Sequence, residues 1–229
     1  MMQNDTSVSR PPAVGSRAAQ AAARRTERQR KSAEDEIDRL LEVTLGLIEK
    51  SAPAMPSVSD IVAAAGISNH TLYRSFPSKD DLVLAVLEKG VARVVEVIDA
   101  RMSGLADPKE QISAWTRGVL RQVSNVEAAK TSRTVLGHLS QSGSVAPNGS
   151  QHELLRPISD LLTAPLEALG GDTVRDGACI SDLVLGAMRR YLWDSTAPSD
   201  EDIDWISEFV LGGLRVESVK AGSGKRTRQ

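Results

Sequence analysis

The heptapeptide Asn69-His70-Thr71-Leu72-Tyr73-Arg74-Ser75 gathers side chains that hydrogen-bond in defined directions within two helical turns. An asparagine amide can pair with N6 and N7 of adenine. An arginine or histidine can meet guanine or a phosphate, and small hydroxyls suit phosphate oxygens. The apolar residues Ile67, Leu72 and Phe76 are spaced five and four apart. One short helix can therefore turn them to a core and leave Asn69, His70, Tyr73 and Arg74 outward. Such a face is either merely solvated or touches a partner, and the neighbouring elements decide.

Those neighbours read as helices. Serine followed three residues later by aspartate occurs at Ser32/Asp35, Ser57/Asp60, Ser78/Asp81 and Ser199/Asp202, each before an apolar pattern of threes and fours. The hydroxyl can accept from an open N–H of the first turn, and the carboxylate can reach back to the cap and favour the positive end of the dipole. A first helix is predicted over 32–50 with Ile37, Leu40, Leu41, Thr44, Leu47 and Ile48 inward, and a second over 58–65. Gly66 can take the left-handed conformation that stops the second helix and turns the chain. Ser68 then caps a third helix of about seven residues, which Pro77 ends, and Ser78 opens a long fourth. Two short helices joined by a three-residue turn with glycine form a helix-turn-helix. Its second helix enters a major groove about 12 Å wide.

Charge supports a polyanion partner. The formal net charge of −2 conceals seven basic residues against two acids in 1–31: Arg10, Arg17, Arg24, Arg25, Arg28, Arg30 and Lys31 against Asp5 and Glu27. The segment lacks apolar periodicity and is expected to be a disordered arm that contacts phosphates or a minor groove. Residues 220–229 form a basic tail. Elsewhere 41% hydrophobic and 25% charged residues describe an ordinary soluble domain. No run approaches the roughly 18 apolar residues of a membrane span, and no secretory leader is apparent, which predicts a cytoplasmic protein without membrane contact. A single cysteine, Cys179, excludes a disulfide framework and is expected to be buried. Three histidines and one cysteine give no metal-ligand spacing, and neither a nucleophile elbow nor a phosphate loop appears. No metal, cofactor or enzymatic activity is expected.

The residues Ile61, Ala65, Gly66, Ile67, Ser68, Thr71, Leu72, Tyr73, Phe76 and Lys79, at their spacing, resemble the DNA-binding domain of TetR-family transcriptional regulators. The resemblance covers 32–89. It implies an all-α chain: an N-terminal three-helix domain with the helix-turn-helix (32–78), then a larger helical ligand-binding and dimerisation domain (79–219). It also implies a dimeric repressor, released from a palindromic operator by a small hydrophobic effector. The alternative is a regulator governed by a protein partner. The DNA-contacting set it implies is Ser57, Ser59, Ser68, Asn69, His70, Thr71, Tyr73, Arg74 and Lys79, to which the charge of the arm adds Arg24, Arg25, Arg28, Arg30 and Lys31. Among these, Asn69 pairs with adenine, His70 and Arg74 meet guanine or a phosphate, and Ser57, Ser68, Thr71 and Lys79 position phosphates. Val62, Ser75, Ser59 and the loop 51–56 depart from the family's pattern, which predicts DNA contacts redistributed toward the arm.

Beyond Lys89, helices are predicted over 108–125, 127–142, 151–169, 173–195 and 200–218, with Pro157 and Pro165 kinking or breaking the third. An apolar stripe of Ile180, Leu183, Val184, Ala187, Met188 and Tyr191 and a second of Ile206, Phe209, Val210 and Gly213 are expected to form a homodimer interface. The effector pocket is placed at Met102, Trp115, Val119 and His138.

Overall fold

The computed structural model describes residues 17–143 and 150–214. Expectations that fall on 1–16, 144–149 and 215–229, among them Arg10 and the basic tail, lie outside these residues. Within them the chain is helical and carries no strand: α1 Arg17–Ser51, α2 Val58–Ala65, α3 Asn69–Ser75, α4 Lys79–Ser103, α5 Pro108–Leu120, α6 Val126–Ser142, α7 Ser150–Asp160, α8 Thr163–Ala168, α9 Arg175–Asp194 and α10 Asp200–Gly213. A 3-10 turn, Arg121–Val123, follows α5. The all-α architecture expected from the periodicity is therefore observed. The boundary between the chain's two compact units falls within α1, between Leu40 and Leu41.

The first unit corrects the reading of the arm. Residues 17–31 are the opening turns of α1, so Ser32 lies inside the helix and caps nothing. The reason is intrinsic propensity. RAAQAAARRTERQRK is almost entirely Ala, Arg, Gln, Glu and Lys, the strongest helix formers, and needs no buried face to favour the helix. Arg30 reinforces it by pairing with Glu27 and Glu34, each at 2.6 Å. Pairs at these spacings favour an exposed helix, modestly because solvent screens them. Every described side chain from Arg17 to Arg39 is exposed.

In the second unit the three remaining serine–aspartate pairs form the capping boxes expected of them. Ser57, Ser78 and Ser199 each accept from the backbone of the aspartate three residues on, and each aspartate accepts from the serine N–H. The larger core is built around α5, against which α4, α8, α9 and α10 pack. Ile112, Trp115, Val119 and Leu120 of α5 are fully buried. Gly118 allows the close passage of α4, since a Cβ there would lie 2.8 Å from Ile98 Cγ1. Arg117 of α5 pairs with Asp204 of α10 at the edge of this core.

The predicted break in the third C-terminal helix occurs between Asp160 and Thr163. Pro157 is accommodated inside α7, and Pro165 stands in the first turn of α8, where its missing N–H costs no hydrogen bond. Cys179 is exposed rather than buried. It sits on α9 one position before Ile180, and a step of about 100° along a helix takes it off the inward row.

Candidate nucleic-acid interface

The interface begins with what closes α2. Gly66 adopts φ 67 and ψ 31, and its N–H reaches back to α2 carbonyls, while Ile67 N–H donates to Val62 O at 3.1 Å. Only a residue without a Cβ takes that conformation without strain. The chain turns within Gly66-Ile67-Ser68 and α3 starts at once. Ile61 and Leu72, one from each helix, are fully buried. That pairing of inner faces leaves Asn69, His70, Tyr73, Arg74 and Ser75 exposed on α3. Tyr73, half exposed at 48%, is an outward aromatic rather than a core one.

The hydroxyls near this face have distinct duties. Ser57 Oγ donates to Asp60 Oδ2 at 2.6 Å and accepts from Asp60 N–H at 3.2 Å, while Ser57 N–H donates to the same carboxylate at 2.9 Å. Ser57 is thus committed to the cap, with no donor to spare for a phosphate. Ser68 Oγ accepts from Thr71 N–H at 3.1 Å and lies 3.0 Å from Thr71 Oγ1. One proton serves that hydroxyl pair, so the second hydroxyl proton remains to be donated outward. Ser59 is exposed on the first turn of α2.

Electrostatics distinguish the charged members. The Ser57 hydroxyl, then the Ser57 N–H, hold the Asp60 carboxyl below its ordinary value of 3.8, and the Lys79 charge adds to this. Partial burial pushes the Lys79 ammonium down, against the opposing charges of Asp80 and Asp60. Lys79 is therefore a half-buried cation at the start of α4 that lies within electrostatic reach of the α2 cap.

The second unit contains a cavity of about 520 Å³. Its walls come from α4 (Leu87, Val91, Val94), α6 (Ser132, Leu136), α7 (Leu154, Leu155, Ile158) and α9 (Asp182, Leu185, Met188, Arg189, Leu192). None of the four residues expected to line a pocket does so. Trp115 and Val119 are fully buried and Met102 nearly so, and Trp115 Nε1 donates to Ile158 O at 2.7 Å as part of the core. His138 instead faces the first turn of α4, with Nε2 2.8 Å from Asp80 Oδ1.

The expected dimer stripes also divide. Ile180, Val184, Ile206 and Val210 are buried in the chain's own core, and Ala187 and Met188 pack against it. Tyr191 is half-buried. Leu183 at 41% and Phe209 at 57% are exposed, and Gly213 is exposed as well. Trp205, which the sequence reading passed over, is 63% exposed and stacks on Phe209 with ring centroids 5.5 Å apart. The signal was available: the two aromatics are four residues apart, one helical turn.

A glycine-turned pair of short helices with an outward hydrogen-bonding row has the geometry of a helix-turn-helix. The model of the bacterial regulatory proteins of the TetR family matches residues 40–86. That stretch, which holds the helix-turn-helix, is similar to the DNA-binding region of the family's regulators. An HTH-type transcriptional regulator of Mycobacterium tuberculosis is 30% identical over 86 residues, 38% of this chain. That match spans only 43% of the relative's own length. A second M. tuberculosis regulator of the same type is 25% identical over 215 residues, 88% of each chain. Among solved structures, a TetR-family transcriptional regulator from Mesorhizobium loti superposes with TM-score 0.62 at 15% identity, over 79% of this chain and 97% of that one. RolR, solved in complex with resorcinol, does so with TM-score 0.60 at 18% identity, over 82% and 91%. Both likenesses concern the fold. Among the described residues no helix is long and apolar enough to cross a membrane.

The cap analysis carries a stability expectation. Ser57→Ala should cost about 1 kcal/mol at neutral pH, read by denaturant unfolding and by faster amide exchange in α2. Because the Asp60 carboxyl is held down in the folded state, its contribution is full above 3.8 and is lost as pH falls through the lowered value. The gap between wild type and variant should therefore narrow in acid. A gap that is absent at neutral pH, or grows on acidification, would contradict the role of this cap.

Proposed function

We infer that the chain is a homodimeric transcriptional repressor that holds a palindromic operator and releases it when a small, mainly aliphatic effector occupies the C-terminal cavity. The observation that carries this reading is the exposed row Asn69, His70, Tyr73 and Arg74 on a helix positioned by a glycine turn. Asn69 and His70 occupy the first turn of α3, the part that goes deepest into a groove, with Arg74 one turn on. Ser68, Thr71 and Lys79 position phosphates, Ser59 adds an exposed hydroxyl, and Ser57 acts through the α2 cap. Replacing Asn69 or His70 by alanine should weaken operator binding by about 1–3 kcal/mol and relax base preference at one or two positions per half-site. Titrations against base-substituted operators check this. Unchanged affinity and ranking would mean that α3 is not the reader.

A palindrome requires two copies of α3. The exposed apolar residues Leu183 of α9 and Trp205 and Phe209 of α10 supply side chains that a second copy would cover. Leu183→Glu or Phe209→Glu should yield monomer in sedimentation and lose operator binding, since both are surface positions whose replacement spares the core. An intact dimer in both variants would refute the assignment.

The effector reading rests on the cavity, whose volume suits a small ligand and whose walls are mostly Leu, Val, Ile and Met. The resorcinol complex of RolR supports a small-molecule ligand on this fold. Leu136→Trp should narrow the space and weaken ligand-induced operator release while leaving operator affinity intact. A thermal-shift screen of aliphatic acids and alcohols against both chains tests it. If no compound stabilises the wild-type chain, control by a protein partner takes its place.

A further inference from the structure

The first unit holds a pattern that the helix-turn-helix does not use. With about 100° between successive residues of a helix, Arg24, Arg28 and Lys31 fall within about 40° of the direction of Arg17, and Arg25 lies on the flank at about 80°. All five side chains are exposed, and among the described residues none takes part in an ion pair. The acids of this stretch are dealt with elsewhere. Arg30, about 140° away from Arg17 around the helix, binds both Glu27 and Glu34. One side of the helix is therefore internally neutralised and the other is a row of open cations. The row ends where Asp35 enters the same face.

We propose that this stripe, Arg17, Arg24, Arg28 and Lys31, is a second DNA-binding element, a rigid helical edge that lies along the sugar–phosphate backbone of a duplex. The inference rests on the DNA-binding reading above. From Arg17 to Lys31 the helix rises about 21 Å at 1.5 Å per residue, the length of about six base pairs at 3.4 Å each. Successive cations can thus meet successive phosphates without the chain having to order a flexible segment first. The like charges at Arg24/Arg28 and Arg28/Lys31 repel at four and three residues' separation, and a polyanion relieves that repulsion. The rest of the helix surface favours a duplex over a lipid surface or a coiled-coil partner. From Arg17 to Lys31 it offers alanine, glutamine and threonine and no leucine, phenylalanine or tryptophan to bury. Guanidinium and ammonium contacts to phosphate carry no base information, so the stripe adds affinity and salt dependence and leaves sequence preference to α3.

The test uses the full-length chain carrying R17Q, R24Q, R28Q and K31Q together, with R30Q as the off-stripe control. Glutamine keeps the helix propensity, and circular dichroism verifies the fold. Binding to a 30-base-pair duplex of arbitrary sequence is measured across a salt series. Each lost phosphate contact removes about 0.9 from the slope of log K against log salt, so the quadruple variant should lose about 3–4 per chain. The control should lose less than about 1, one contact's worth. A quadruple variant with the wild-type slope overturns the proposal. So does a variant whose duplex binding is unchanged while its binding to phosphatidylserine vesicles falls. A wild-type chain that binds no duplex at all would instead sink the DNA-binding reading itself, and Asn69→Ala alongside separates the two: it should lower operator affinity without changing the slope on arbitrary DNA.

Discussion

The left-handed turn at Gly66 is the constraint on which the outward face of α3 depends. Two short helices can bury Ile61 and Leu72 in one small core only if the chain reverses within three residues, and an L side chain at φ 67 would resist that reversal. Once the turn is made, the geometry of α3 leaves little freedom. Leu72 is inward, so the residues around it on the helix must point out, and those are Asn69, His70, Tyr73 and Arg74. The chemistry of the face follows from a backbone angle several residues upstream of most of it.

Local hydrogen bonding then sorts similar side chains into different roles. Ser57 and Ser68 are both N-cap serines before short helices, yet they differ in what remains for a partner. An aspartate three residues after Ser57 takes its proton, whereas the threonine three residues after Ser68 shares one and leaves another available. The same economy operates in α1, where Arg30 collects Glu27 and Glu34 and so leaves the cations on the opposite side unneutralised. In both places the balance of donors against acceptors within one turn decides whether a polar group holds the fold or faces outward.

The second unit sets a packed core beside the cavity. Trp115 is anchored by its indole N–H on Ile158 O, and Ile158 in turn forms part of the cavity wall. Helix α6 contributes Ser132 and Leu136 to that wall and, at His138, meets Asp80 in the first turn of α4, two residues after the cap that follows α3. The His138–Asp80 contact thus joins an element of the cavity wall to the start of α4, the helix that follows α3, within this unit.

Elements whose signals are local were legible from residue order: the capping boxes at Ser57, Ser78 and Ser199, the turn at Gly66, the seven-residue α3 and the break before Thr163. Each depends on neighbours within four residues, which a sequence displays directly. Residues 17–31 are helical where the lack of apolar periodicity implies a disordered arm, because an alanine–arginine helix has propensity without periodicity. What sequence could not decide was which of two apolar rows on one helix faces home. On α10, Ile206 and Val210 differ from Trp205 and Phe209 by a single step of about 100°, and only packing against α5 makes the first pair core and leaves the second exposed. The cavity belongs to the same class. Its walls come from four helices distant in sequence, and a void is a property of how they fail to meet, which no single segment encodes.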